Sequence, residues 1–171
     1  MRLSELFREV EFDGSIKNDA DINLVTDDSR LVRPGSLFVC IRHRSFDGHT
    51  AALDALASGA AAVVTQDRLG LENELRVADS RSAYARLCAA LCNHPERKLR
   101  MIGVTGTNGK TTVTTLIRNI LSDSGTKTLL TGTVCNRLGD ENLPSGLTTP
   151  KPPELYSLLS RAVSQGCKAC V

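Results

Sequence analysis

The sequence predicts an α/β protein: a small N-terminal α/β domain, residues 1–97, followed by the truncated start of a mostly parallel, doubly wound domain, residues 98–171. Three observations carry this expectation. Residues 36–65 run as an apolar stretch, a helical stretch and a second apolar stretch; residues 101–131 repeat that order around a glycine-rich turn. Between them lies the polar, proline-bearing segment Asn93-His94-Pro95-Glu96-Arg97-Lys98, which reads as a linker.

In the first part, Ser36-Leu37-Phe38-Val39-Cys40-Ile41 is a strand launched by the turn Arg33-Pro34-Gly35. Residues 51–58 have helical composition and stop at Gly59, a C′ glycine. Ala61-Ala62-Val63-Val64-Thr65 then reads as a buried strand. A second helix follows Asp79-Ser80, either of which suits the N-cap, with Ala83, Leu87 and Leu91 on one face and an end before Pro95.

In the second part, Met101-Ile102-Gly103-Val104-Thr105 is a strand. The helix over residues 110–124 sets Val113, Leu116, Ile117, Ile120 and Leu121 on one face and closes at Gly125. Residues 127–131 form the next strand, and a Gly/Asn/Pro-rich loop runs from about 132 to 150. Pro152-Pro153-Glu154 opens a helix bearing Leu155, Leu158, Leu159, Ala162 and Val163, which ends at Gly166, and Lys168 begins another strand. A doubly wound sheet uses about five or six strands. Residues 98–171 supply two and part of a third, so this domain reads as truncated, with Leu116/Ile120 and Leu158/Ala162 left without full cover.

Composition narrows the function classes. With 41% hydrophobic and 23% charged residues the chain is an ordinary globular protein, and disorder or collagen-like repetition is excluded. The net charge of +2 is spread without a Lys/Arg block, so no nucleic-acid or membrane-surface footprint is expected. An anion must then be met by local geometry, which points to a small phosphorylated ligand. No apolar run approaches the roughly 18 to 20 residues of a membrane span. The segment Met1-Arg2-Leu3-Ser4-Glu5 lacks a signal-peptide core, which predicts a cytoplasmic protein. The six cysteines, Cys40, Cys88, Cys92, Cys135, Cys167 and Cys170, read as reduced buried thiols. Cys167 and Cys170 have the spacing of a redox pair or half a zinc site, but no second CxxC or HxxxH accompanies them.

The sharpest signal is Gly106-Thr107-Asn108-Gly109-Lys110-Thr111-Thr112 between a predicted strand and an amphipathic helix. Glycines there let backbone N–H groups turn inward around a triphosphate, and the helix N-terminus adds a favourable dipole. Lys110 is placed to reach the β/γ-phosphates of ATP and Thr111 to ligate Mg²⁺. The pattern departs from GxxxxGK[ST] because its first glycine position is Val104, and a plain glycine-rich turn is the alternative.

The phrase Val104-Thr105-Gly106-Thr107-Asn108-Gly109-Lys110-Thr111-Thr112 resembles the loop of the Mur ligase family, ATP-dependent enzymes that join amino acids to the nucleotide-linked peptidoglycan precursor. In that family a residue other than glycine at the first loop position is usual. The resemblance extends upstream through Asp28-Ser29-Arg30, Pro34-Gly35-Ser36-Leu37-Phe38-Val39, Asp47-Gly48-His49 and Gly59-Ala60-Ala61-Ala62-Val63-Val64. It implies that residues 1–97 hold the UDP of the substrate, with Ser29 and the loop His43, Arg44, Ser45 and Phe46 forming the uridine pocket. Relatives commonly carry a glycine where this chain has His43 and an aromatic near Ala51. Asn108 in the loop and Leu147-Thr148-Thr149-Pro150 look most like the members that add the third residue of the stem peptide. There Thr148 and Thr149 would contact the UDP-N-acetylmuramoyl dipeptide. The glutamate, carbamylated lysine and C-terminal domain expected of the family would lie beyond Val171.

The resemblance implies a ligase that forms an acyl phosphate from UDP-N-acetylmuramoyl-L-alanyl-D-glutamate and ATP and then adds a diamino acid, diaminopimelate or lysine. As it stands the chain is expected to be inactive alone. The alternatives are a binding module that holds the UDP precursor or a nucleotide without turnover, and the related ligase that adds the terminal dipeptide. Several residues also have plainer readings: Ser29 as a turn or capping residue, Thr148 and Thr149 as caps of the helix near Pro152, and His43 and His49 as surface histidines.

Overall fold

A computed structural model describes residues 1–144 and 149–171. The chain divides into two compact units, Met1–Leu91 and Cys92–Val171. Among the described residues no helix is long and apolar enough to cross a membrane.

The first unit holds four strands, β1 (Leu24–Thr26), β2 (Ser36–Val39), β3 (Ala60–Thr65) and β4 (Glu74–Arg76). They lie side by side in chain order and every pairing is parallel. Parallel strands covered on both faces read as continuous apolar runs, and Leu37, Phe38 and Val39 of β2 are all fully buried. The turn before β2 has proline then glycine at its centre: the Ser36 N–H donates to the Arg33 carbonyl at 2.9 Å. Gly35 holds φ +84, and a Cβ there would come 2.7 Å from the Asn23 side chain, so conformation and space both ask for glycine.

Helix α1 (Leu3–Leu6) opens the unit, and a 3₁₀ turn, Gly48–Ala51, leads into α2 (Ala52–Ala57). Small residues let α2 lie close to the sheet: Ala51, Ala52 and Ala55 form one buried cluster with Phe38, Cys40, Ala60 and Val63. As the sequence predicts, Gly59 ends it, with φ +100 and its N–H on the Leu56 carbonyl. Helix α3 (Ser80–Leu91) is capped by Asp79, whose Oδ1 accepts from the N–H groups of Arg81 at 2.9 Å and Ser82 at 3.2 Å.

Hydrogen-bonded carboxylates make this unit sensitive to acid. Glu74 accepts from the Leu69, Gly70 and Leu71 N–H groups and from the Thr65 hydroxyl. Burial pulls its pKa up, but these bonds outweigh that and hold it below the usual carboxylate value. Asp47 accepts from the His49 backbone N–H and ring, which lowers its pKa to about 2 from 3.8. A depressed folded-state pKa gives stability that is present above the unfolded pKa and is lost as pH falls through the folded one. The urea midpoint is therefore expected to fall between about pH 4 and pH 2, and Asp47→Asn is expected to flatten that fall. A midpoint indifferent to pH across this range would contradict these bonds.

The second unit contains β5 (Arg100–Met101), α4 (Lys110–Asp123), β6 (Thr128–Leu130), β7 (Asn136–Leu138), β8 (Glu141–Leu143), α5 (Pro152–Ser164) and β9 (Ala169–Cys170). Its sheet runs β5-β9-β6-β7-β8, with β9 parallel to both β5 and β6. The β6–β7 and β7–β8 pairings are antiparallel, so the sheet is mixed rather than mostly parallel, and it holds five strands rather than two and part of a third. The expected loop from 132 contains the β7–β8 hairpin, turned at Gly139 (φ +59) and Asp140. The expected linker also has structure: Pro95 is buried and Pro95–Lys98 is a 3₁₀ helix within this unit.

Leu99, Leu129, Leu138, Leu159, Ala162, Cys167 and Cys170 form its core, with Leu158 packed against them. The expectation that Leu158 and Ala162 lack full cover is therefore corrected for Ala162, which is fully buried, while Leu158 is partly covered. Leu116 and Ile120 on α4 do stand open, at 55% and 67% exposed. The buried residue of α4 is instead Arg118, whose Nη2 donates to the Gly139 carbonyl at 2.7 Å. Of the six cysteines four are buried, while Cys92 and Cys135 are only half-buried, which corrects the expectation for that pair. Burial pushes the Cys170 thiol up to about 12 and raises that of Cys167, which suits neither redox exchange nor metal binding.

Candidate functional site

The expected phosphate loop leaves β5 and enters α4. Strand pairing stops sooner than the sequence predicts: Ile102 still donates to the Cys170 carbonyl, and residues 103–109 then belong to no helix or strand. Gly109 is the N-cap of α4 at φ +77, with no side chain capping the helix. A Cβ at Gly109 would meet nothing within 4 Å, so the demand for glycine there is purely conformational. Gly106, Thr107, Asn108, Thr111 and Thr112 are exposed, and Lys110 is half-buried. The Lys110 ammonium folds back over the loop, donating to the Gly106 carbonyl at 2.6 Å and lying 3.5 Å from that of Thr107. Uncapped N–H groups at a helix start, beside a lysine, make an anion site.

Beside this loop is a cavity of about 510 Å³. It opens where the C-terminal ends of β5, β9 and β6 meet, lined by Met101 and Ile102, Cys170 and Val171, and Leu130 and Thr131. Chain order and sheet order differ there, since β9 lies between β5 and β6. Such switch points are where open α/β sheets take ligands. Lys110, Thr111 and Thr149 all line this cavity. Thr148 lies outside the described residues. Lys151, not a threonine, occupies the N-cap of α5, and it supplies no side-chain cap.

The Thr111 hydroxyl is a single exposed oxygen at the start of α4, and the described residues contain no group of three His, Cys, Asp or Glu able to hold a metal ion. Mg²⁺ commonly takes one or two protein oxygens and completes its shell with phosphate and water. Thr111 fits that pattern as one ligand.

In the first unit, the segment carrying Ser29 is a 3₁₀ turn, Ser29–Leu31, whose cap is Asp28. The Asp28 carboxylate accepts from the Arg30 N–H at 3.0 Å and pairs with the Arg30 guanidinium at 2.6 Å. The capping role read for Ser29 thus belongs to Asp28. Ser29 itself is half-buried, and its hydroxyl makes no hydrogen bond among the described residues.

Residues 43–46 form a tight loop in which the His43 N–H donates to the Phe46 carbonyl at 2.8 Å. Arg44 and Ser45 are exposed, and so is Phe46 at 51%, an open aromatic face. The loop is brought to the Ser29 segment by His43, whose Nε2 lies 3.3 Å from Asp27 Oδ2. Asp27 in turn accepts from the Tyr84 hydroxyl at 3.1 Å. Sequence reasoning passed over Asp27 and Tyr84; no local pattern joins residues 57 positions apart. It also read His49 as a surface residue, whereas His49 is buried. Its Nδ1 lies 2.6 Å from Asp47, and its Nε2 accepts from the Gln66 N–H at 3.1 Å.

Comparison with known proteins bears on both units. Residues 21–94 match the family model described as the Mur ligase family catalytic domain, and residues 104–171 match the Mur ligase middle domain. A UDP-N-acetylmuramoyl-L-alanyl-D-glutamate–2,6-diaminopimelate ligase of Phocaeicola vulgatus is 36% identical over 98% of this chain and 36% of its own length. A UDP-N-acetylmuramyl-tripeptide synthetase of Deinococcus radiodurans is 38% identical over the whole of this chain and 37% of its own. A solved structure of a UDP-N-acetylmuramoyl-L-alanyl-D-glutamate–2,6-diaminopimelate ligase superposes with a TM-score of 0.78 at 28% identity, covering 99% of this chain and 35% of that one. The chain thus spans 36–37% of the length of these curated relatives.

Proposed function

The chain belongs to the Mur ligase family, and from that premise we propose that it supplies the UDP-precursor site and the ATP phosphate loop of a ligase that adds the third residue of the peptidoglycan stem peptide. The substrates are UDP-N-acetylmuramoyl-L-alanyl-D-glutamate, ATP and a diamino acid; the Phocaeicola relative's name favours diaminopimelate over lysine. The observation that carries the reading is the single cavity shared by Lys110, Thr111 and Thr149 at the switch point of the second sheet. A helix start with uncapped N–H groups and a hydroxyl suited to a peptide substrate line that cavity together, which supports the reading.

In this reading the substrate carboxylate attacks the γ-phosphorus of ATP, ADP leaves, and the amine of the incoming amino acid then displaces phosphate from the acyl phosphate. The first step is chiefly positioning and charge compensation. Backbone N–H groups from Gly106 to Thr112 cradle the phosphates, and Lys110 exchanges its carbonyl partners for phosphate oxygens. Mg²⁺, held through Thr111, would supply further positive charge there. Thr149, together with Thr148, orients the muramoyl peptide. In the first unit Ser29, Arg44, Ser45 and Phe46 hold the uridine, on the loop that begins at His43. The free Ser29 hydroxyl and the open face of Phe46 support this assignment.

Calorimetric titration of the chain with UDP-muramoyl dipeptide tests the uridine site. Ser29→Ala is expected to weaken binding by about 1 to 2 kcal/mol, the usual cost of a lost polar contact. Equal affinity in parent and variant would remove Ser29 from the site.

A further inference from the structure

Building on the uridine-site reading above, we propose that Asp27, Tyr84 and His43 are positioning residues: a buried carboxylate latches the 43–46 loop to the segment carrying Ser29, and His43 acts through Asp27 rather than on the nucleotide.

The Asp27 side chain is only 7% exposed. A carboxylate so far out of water persists only where partners satisfy it. Tyr84, buried on α3, is the inner partner: its hydroxyl donates to Asp27 Oδ1 at 3.1 Å and accepts the Asp27 N–H at 3.3 Å. Burial, with the neighbouring Asp27 charge, raises the Tyr84 pKa, so the hydroxyl stays a donor. The other carboxylate oxygen, Oδ2, faces His43 Nε2 at 3.3 Å.

The loop's base is clamped elsewhere. Arg42 donates to Asp47 at 3.1 Å and also pairs with Asp67, while Gly48 donates to the Ile41 carbonyl. Within 43–46, the polar side-chain contact reaching outside the loop among the described residues is the one from His43 to Asp27. His43 also closes the turn through its N–H to Phe46. The His43 side chain therefore ties the loop to the segment before Ser29, and Tyr84 fixes the carboxylate it meets. A histidine engaged in this way is spent on the protein, which leaves Arg44, Ser45 and Phe46 to face a nucleotide.

The test is calorimetric titration with UDP of the parent chain, His43→Ala, Asp27→Asn, the double variant, His43→Gln and Tyr84→Phe, with each melting temperature recorded. His43→Ala and Asp27→Asn are each expected to weaken UDP binding about three- to tenfold, the range of one lost polar contact. The double variant is expected to be no weaker than the worse single one, because both break the same link. His43→Gln, which keeps a donor toward Asp27, is expected to bind within about twofold of the parent. Tyr84→Phe gives the same answer as Asp27→Asn should the latter not fold. Additive losses in the double variant, or a His43 effect that survives removal of the Asp27 charge undiminished, would overturn the latch while leaving the uridine site intact. A parent chain that does not bind UDP would overturn the uridine site itself, and the latch with it.

Discussion

Replacing Lys110 by alanine, in a protein as long as the relatives of this chain, is expected to lower kcat at least a hundredfold while leaving affinity for UDP-muramoyl dipeptide within about twofold. The size follows from the role: losing one preorganised group on a developing negative charge costs roughly 10²–10³ in rate. The selectivity follows from location. Lys110 belongs to the phosphate loop of the second unit, whereas Ser29 and residues 43–46 belong to the first. Among the described residues the hydrogen bonds of the Lys110 ammonium are those to the Gly106 and Thr107 carbonyls, which a phosphate would replace. A variant keeping more than about a tenth of the parent kcat, a loss under roughly 1.4 kcal/mol, would be too active for a lysine on the transferred phosphate.

Phe38→Ala is expected to cost about 3 to 5 kcal/mol of stability, the range for truncating a buried aromatic. Phe38 is fully buried in β2, paired in register with Thr26 on one side and Val63 on the other, and packed against the alanines of α2. Those alanines are close because they are small, and their short side chains cannot extend into the space a lost ring leaves. Urea unfolding of parent and variant measures the difference, and a loss under about 1 kcal/mol would mean that the sheet and α2 close over the gap.

The elements legible in the sequence are those with strong punctuation. β2 follows a Pro-Gly turn, α2 and α4 end at glycines with positive φ, α3 begins at an aspartate cap and α5 at a proline. β1 and β4 are three residues long and α1 four, too short for any period to register. The β7–β8 hairpin left a trace, since Gly139-Asp140 between Leu138 and Glu141 is a two-residue turn signal. The polar residues around it drowned that trace. Periodicity gave α4 an apolar face but not its surroundings: Leu116 and Ile120 stand open while Arg118 is buried. At the candidate site, the phosphate loop was readable because its residues are contiguous. Asp27 and Tyr84 were not, because their link is made only when α3 packs beside β1.

The central claim is that the two units take two different parts of the chemistry, uridine in the first and triphosphate in the second. Amide chemical-shift mapping of the 171-residue chain, titrated separately with UDP and with a non-hydrolysable ATP analogue plus Mg²⁺, measures this most directly. UDP is expected to move the amides of residues 27–30 and 43–47, and the ATP analogue those of residues 103–115 and Thr149. Shifts from UDP confined to residues 106–112, with none at 27–47, would contradict the account.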